Sequence, residues 1–525
     1  LNSLKAKLTV ASADLAPPSS GVTGRISQFV ALRVGKLPVV IWLYILTIAL
    51  PVGFNLGPLT MSLMRLLLIV MVIPLVLMLF SGRAGRIIAP DILFALHILW
   101  AALAIGANNP DRVVENMGST AIEFVGGYLL GRIFIRTPET FLALCRALFI
   151  FIICTIPFAL MENRSGSPMI LKFIESLPGL TSFADVNNPK RMGLERAQVM
   201  FAHPIHYGVF CSIMFAMAWV AFRGVFSDVT RYMVACAIAF AAFLSLSSGA
   251  LLAIFMQGGL IGWAWMFRSN PARWKILLGL LAFCYVAVDL ASNRTPVDVF
   301  MSYATFSAHN AFWRSIIFDW GMFNVWQNPI LGLGLRSWVR PHYMGSGSMD
   351  NFWLVMAVRY GIPGFLFLAL GYLDLLRRVA FRDLSSDEAV SRIRLAWMIT
   401  FIGLTFSLST VHVWTSVYSF LFFMVGAGVW LTDYQPVAKT KAAVTAPART
   451  ATPHARTGTG SVAVYSRAPS AVPEGPARAE LRHSRDQSEL EPPAPAPPVA
   501  EFRRSDLKFT RFGQDRPAAK TDPES

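Results

Sequence analysis

Two stretches of the chain hold basic and imidazole side chains at spacings that suit an anion. The first reads Arg191-Met192-Gly193-Leu194-Glu195-Arg196 and continues to Phe201-Ala202-His203-Pro204-Ile205-His206-Tyr207-Gly208. Pro204 suits the first position of a helix, which puts His203 near its N-cap and His206 one turn in. A helix N-terminus favours negative charge, and Arg191 and Arg196 stand just upstream, as a phosphate or pyrophosphate site would need. The plainer alternative is arginines pairing with lipid headgroups and histidines packed at an interface. His203 and His206 have a spacing that a metal ion tolerates, but no third ligand is spaced to join them, so no metal is expected.

The second stretch carries Ala311-Phe312-Trp313-Arg314, then Gln327-Asn328-Pro329-Ile330-Leu331-Gly332-Leu333-Gly334, Arg336, and Asp350-Asn351-Phe352-Trp353. The guanidinium of Arg314 suits either a bidentate grip on phosphate or a headgroup contact. Asp350 and Asn351 open an apolar run, where a carboxylate is either a cap or a group that takes a proton from, or orients, a hydroxyl. Arg359 lies about two turns into that run, deeper than snorkelling readily explains. Gly332 and Gly334 have the look of a dinucleotide loop, but no strand precedes them and the third glycine is missing.

The elements that must position these residues are membrane helices. Of 525 residues, 55% are hydrophobic and only 14% charged, with a mean hydropathy of +0.53. Soluble domains run near 45–50% apolar and about 25% charged. The net charge of +16 does not point to nucleic acid, because the cations lie between apolar runs rather than along one face. The five cysteines all fall inside apolar stretches, with no CxxC or Cys/His cluster, so neither a disulfide framework nor a zinc site is indicated.

Runs of roughly 20 apolar residues cross a bilayer. The candidates are 37–56, 61–80, 90–107, 117–134, 141–161, 204–222, 232–247, 249–267, 276–291, 351–376, 395–411 and 413–431. The expected fold is therefore an all-α polytopic bundle of about twelve transmembrane helices, residues 37–432, preceded by a cytoplasmic segment, 1–36. Arg83, Arg86, Arg223, Arg231, Arg268, Arg273, Arg392 and Arg394 fall on one side, which the positive-inside rule makes the cytoplasm, with both termini there. No apolar run precedes Leu37, so the first span is expected to act as its own insertion signal. Arg65 is expected to snorkel, and His97 and Glu123 to find polar partners inside the bundle. Ser245, Ser247, Ser248 and Gly249 form a tight outer turn that either lines a cavity or packs closely. Two outer loops, 162–203 and 292–350, exceed ordinary lengths and hold the arginines described above. Residues 433–525 carry 13 of the 32 prolines and none of the 14 tryptophans. They are expected to be a disordered tail, either merely solvated or docking a cytoplasmic partner.

The segments FAHPIHYG, LSLSSGALLA, AFWR, QNPILGLGL and DNFWLVMAVRYGIPG, in that order and at outer helix ends, resemble the O-antigen ligase/polymerase (Wzy-like) family over roughly 37–431. The resemblance implies a metal-independent glycosyltransferase of the bacterial inner membrane. It would use an undecaprenyl-pyrophosphate-linked glycan donor and a polysaccharide acceptor, need no cofactor, and work with a chain-length regulator as a candidate partner. By position, Arg196 and Arg314 would neutralise the pyrophosphate, with Arg191 and Arg336 as further candidates. Asn351, Arg359 and Trp313 would contact substrate. Family ligases place a histidine before the Asn that opens the late helix. Asp350 stands there in this chain, which favours chain polymerisation and leaves His203 and His206 competing with it as base. An O-antigen ligase and a lipid-linked-oligosaccharide flippase are the alternatives, although the two halves of the chain show no similarity to each other of the kind transporters carry. Replacing Arg196 or Arg314 by Ala should abolish product while leaving membrane insertion intact, as read by glycan analysis beside membrane fractionation.

Overall fold

The computed structural model describes residues 34–435, apart from 57–58, 187–188, 294, 297–298 and 300–307. All of them belong to one compact unit, Leu1–Val437. Most of the expected N-terminal segment and nearly all of the expected tail lie outside the described residues.

The chain runs through α1 (Val39–Ala49), α2 (Leu63–Phe80), α3 (Ala89–Asn108), α4 (Val113–Ala121), α5 (Gly127–Phe134), α6 (Pro138–Ser165) and α7 (Met169–Glu175). It continues with α8 (Pro204–Ser212), α9 (Asp228–Leu244), α10 (Ser248–Met266), α11 (Arg273–Ala291), α12 (Ala308–Gln327), α13 (Phe352–Phe381), α14 (Glu388–Leu408) and α15 (Thr415–Gly426). Among the described residues, 9 helices are long and apolar enough to cross a membrane. The chain is a polytopic helical membrane protein. Shorter or interrupted helices stand where the other three crossings were expected: α1, α9, and α4 joined to α5 through a π turn at Ile122–Gly126.

The expected first span needs correction. The first span does not run to Leu56, because Pro51 forces Leu50 out of helical geometry (φ −113°, ψ 87°) and α1 stops at Ala49. Its length of about 16 Å falls short of a bilayer core of about 30 Å. The chain turns back as a hairpin of β1 (Gly53–Leu56) and β2 (Leu59–Ser62), antiparallel with Gly53 opposite Ser62. The second long loop holds a helix of its own, α12, over 20 of its residues.

The core is aromatic. Phe94, Phe124, Tyr128 and Phe422 meet edge-on or tilted, with ring centroids 4.1–6.0 Å apart. Helix α15 lies buried in the middle, whereas α11 has no buried residue and faces outward along its length. Several charged and polar groups inside the bundle are paired, as a low-dielectric interior favours. Asp91 and Arg132 are both 2% exposed and 3.3 Å apart. Arg132 also donates to the carbonyls of Ala84 and Arg86. Arg65 does not snorkel; it turns inward to Glu123 of the π turn at 2.8 Å. His97 meets the Gly364 carbonyl at 2.8 Å.

Helix α13 breaks at Gly361 (φ 73°, ψ 178°). The backbone groups this frees cannot stay unsatisfied at membrane depth. The loop 329–335 fills the break. Leu333 and Gly334 donate to the carbonyls of Val358 and Arg359 at 2.8 and 3.0 Å, and Ile362 donates to Pro329 at 2.7 Å. Gly332 (φ 61°) approaches so closely that a Cβ would lie 2.6 Å from the Arg359 carbonyl. From α3, Trp100 donates to Ile330 and Tyr360, and the Asn109 side chain accepts from Leu335 at 2.8 Å. The two glycines thus serve backbone packing, not a nucleotide. A Cβ at Gly361 would meet the Ile330 carbonyl and carry an unfavourable φ. Gly361→Ala should therefore lower stability by at least about 2 kcal/mol. Gly279→Ala, in open space on α11, should be neutral or stabilising by up to about 1 kcal/mol. Thermal unfolding in detergent compares the two.

Candidate functional site

The site begins where α9 ends. Leu246 holds a left-handed φ of 47°, and the turn leaves the carbonyls of residues 244–246 without helical partners. Ala197 N–H and Asn163 Nδ2 donate to Leu244 at 3.2 and 2.9 Å. Arg196 Nε donates to Ser245 at 3.4 Å and Arg191 Nη1 to Leu246 at 2.8 Å. Two cations therefore cap the negative end of a helix.

Their loop is held from α6. The Glu162 carboxylate accepts from the N–H groups of Gln198 and Val199 at 2.9 and 2.8 Å. Val199 has φ 56°, a conformation that costs a β-branched residue roughly 1–3 kcal/mol and is held here by charge-assisted bonds. Met192 and Thr415 are also left-handed, each with φ 52°. Together with Val199 and Leu246 they are the non-glycine residues with positive φ among those described, and all four lie on segments that flank this end of the bundle.

Arg191 and Arg196 face a cavity of about 90 Å³ that they share with Ser247, Ser248, Trp313, Arg314 and Asp350. Arg314 reaches it from α12 and donates to Ser248 Oγ at 3.2 Å. Ser247 caps α10 by accepting from Ala250 N–H, so the first turn of a 19-residue helix also opens here. Burial pulls Arg196 down to about 10, with Arg191 adding to the effect and Asp350 opposing it. Arg314 likewise falls to about 10, through burial first, against the pull of Asp350. All three arginines remain cationic at neutral pH and face one carboxylate. Arg196 Nη2 is buried and meets no acceptor among the described residues.

The other candidates separate. Asn351, not Asp350, caps α13, accepting from Leu354 N–H at 3.1 Å. Asp350 is thereby released from capping and accepts from Ser348 Oγ at 2.9 Å. Arg336 and Arg359 are not with the other arginines. They line a second cavity of about 690 Å³ with Trp338, Ser348, His412 and Trp414. The wall between the cavities consists of two strips of chain. Asp350 and Val411 face the small cavity, and Ser348, Met349 and His412 face the large one. Phe352 N–H joins the strips by donating to Val411 at 3.0 Å.

His206 is fully buried and packs on Trp414 with ring centroids 4.0 Å apart. His203 caps α8, its Nδ1 accepting from Ile205 N–H at 3.1 Å, so its neutral ring carries the proton on Nε2. The basic nitrogen of His203 is already engaged. Among the described residues, no three His, Cys, Asp or Glu side chains gather as a metal ion would require. Sequence reasoning missed Glu162, His412 and Trp414. The V-H-V-W stretch between two apolar runs was the available signal for the last two.

Residues 233–369 match the family model described as O-antigen ligase. That stretch carries Ser247, Ser248, Arg314, Arg336, Asp350, Asn351 and Arg359, whereas Arg191, Arg196 and His203 precede it. No curated protein matches the chain.

Burial first, then Arg196 and Arg191, push His203 down to about 4 from an ordinary 6.5. The folded protein therefore holds this ring neutral where the unfolded chain would protonate it. The linked stability is complete above about 6.5 and is lost as pH falls through about 4. In an NMR titration, Arg196→Gln should move the His203 midpoint upward yet leave it below 6.5, because burial remains.

Proposed function

Starting from a chain that carries an O-antigen ligase family segment, we propose that it joins lipid-pyrophosphate-linked oligosaccharide units into a surface polysaccharide or exopolysaccharide. The family supports glycan transfer or polymerisation on lipid-linked substrates. The finer reading puts the reaction at the outer face of a bacterial inner membrane, with undecaprenyl pyrophosphate as the carrier. One observation carries it: among the described residues three arginines and one carboxylate line one small cavity, and a buried guanidinium nitrogen of Arg196 has no acceptor. Such an excess of buried positive charge is expensive unless an anion completes it.

The donor pyrophosphate would lie on Arg191, Arg196 and Arg314, against the N–H groups that open α10. An acceptor hydroxyl attacks the anomeric carbon. The new C–O bond forms as the bond from that carbon to the phosphate oxygen breaks, and the electron pair leaves with the pyrophosphate. The charge that grows there meets fixed cations in a partly dry site, typically the largest catalytic contribution. These cations fill the role a divalent ion takes in other pyrophosphate chemistry. Asp350 takes the hydroxyl proton. His203, with its lone pair engaged, and His206, fully buried, are poor bases by comparison. The acceptor glycan fits the larger cavity, where Arg336, Arg359, Trp338 and Trp414 offer hydrogen bonds and ring faces.

Mass spectrometry of lipid-linked glycans, resolved by leaflet, tests the reading in cells lacking the protein. Single units accumulating on the outer leaflet are the expected result. Long lipid-linked chains would mean a ligase, and units held on the inner leaflet a flippase. In a reconstituted assay, Arg196→Gln and Arg314→Gln should each lose about 100-fold or more in kcat. Arg314→Lys should not restore it, for want of a planar fork. Asp350→Asn should be equally damaging, while His203→Asn, which keeps the cap, should stay within about tenfold.

A further inference from the structure

At the opposite end of the bundle from the three-arginine cavity, α8 leads into Arg223, α9 begins at Asp228, α10 gives way to Arg268, α11 begins at Arg273, and α14 carries Arg392 in its first turns. Their side chains converge on one cavity of about 690 Å³, within the roughly 300–1,000 Å³ of ordinary ligand sites. Cations from three separate connections, read in the sequence only as a sign of orientation, therefore line a single space. Among the described residues, Asp228 is the one carboxylate lining it.

The cavity has two chemistries. Its mouth holds Arg223, Arg231, Arg268, Arg273 and Arg392. Its length runs along α10 past Gly258, Ile261, Gly262 and Trp265, with Phe215 and Ile399 opposite. A Cβ at Gly258 or Gly262 would meet nothing within 4 Å, and Gly262 is exposed, so this groove opens sideways to the bilayer. Arg231 is only 5% exposed. It pairs with Asp228 at 2.7 Å, and Arg392 pairs with Glu388 at 2.6 Å, yet Nε of each is buried without an acceptor among the described residues. Arg223 and Arg268 make no side-chain hydrogen bond or ion pair among the described residues.

We propose that this cavity binds an anionic phospholipid, its phosphate on the five arginines and one acyl chain along the glycine groove of α10. Basic pockets between membrane helices suit anionic headgroups on the cytoplasmic side, where the charge bias assigns this end. The apolar length of the groove is what a soluble phosphate would not use.

The full chain, purified in detergent and stripped of bound lipid, is titrated by native mass spectrometry with phosphatidylglycerol, phosphatidylcholine and inorganic phosphate. Phosphatidylglycerol should bind at least about tenfold more tightly than phosphatidylcholine. Arg223→Ala with Arg268→Ala should weaken it roughly 25-fold, at about fivefold per cation near a headgroup. Both side chains are exposed, so folding is spared. Gly262→Leu, a favourable change for a helix, should weaken phosphatidylglycerol by filling the groove. Equal binding of the two lipids would overturn the proposal. So would indifference to both sets of variants, or inorganic phosphate competing as well as phosphatidylglycerol at equal concentration.

Discussion

A peptide bond inside a bilayer has no water to turn to, and the break of α13 at Gly361 makes that constraint local and severe. Much of the outer half of the bundle answers it. The loop 329–335 is drawn into the break, and Trp100, Asn108 and Asn109 at the end of α3 hold that loop in place. Because the loop must sit there, Arg336 emerges beside Arg359 rather than beside Arg314. A requirement of the backbone has thus decided which arginines share a cavity.

The second constraint is charge. Two cations at membrane depth are matched one to one, Arg65 with Glu123 and Arg132 with Asp91. The three-arginine cavity departs from that rule, and so does the basic cavity at the other end. Strain follows the first departure. Met192, Val199 and Leu246 adopt left-handed conformations on the segments that carry or follow Arg191, Arg196 and the carbonyls they cap, as expected where surrounding structure overrides local preference to hold a geometry.

The apolar runs were legible because a bilayer imposes a length on helices, and composition alone reveals it. The convergence of Arg191, Arg196 and Arg314 was legible because they belong to the two long loops expected on the same side of the membrane. What could not be read depended on contacts distant in sequence or on single residues. Glu162 reaches Gln198 and Val199 across 36 and 37 positions. Arg65, expected to snorkel, pairs with Glu123 58 positions away. The cap of α13 falls on Asn351, one residue beyond the carboxylate that would serve as well by type. The early stop of α1 was signalled by Pro51, which the run of apolar residues on either side concealed.

Arg191 and Arg196 each spend a donor on the last carbonyls of α9. That attachment means the cations stand in place before any ligand arrives, so nothing has to order itself for the donor to be gripped. It also means that they cannot withdraw afterwards. On the proposed reading, the spent carrier would keep its pyrophosphate and meet the same anchored grip as the loaded one, so that its departure would be the slow leg of each cycle. The pace of polymer growth would then be set by how quickly the membrane carries the empty lipid away.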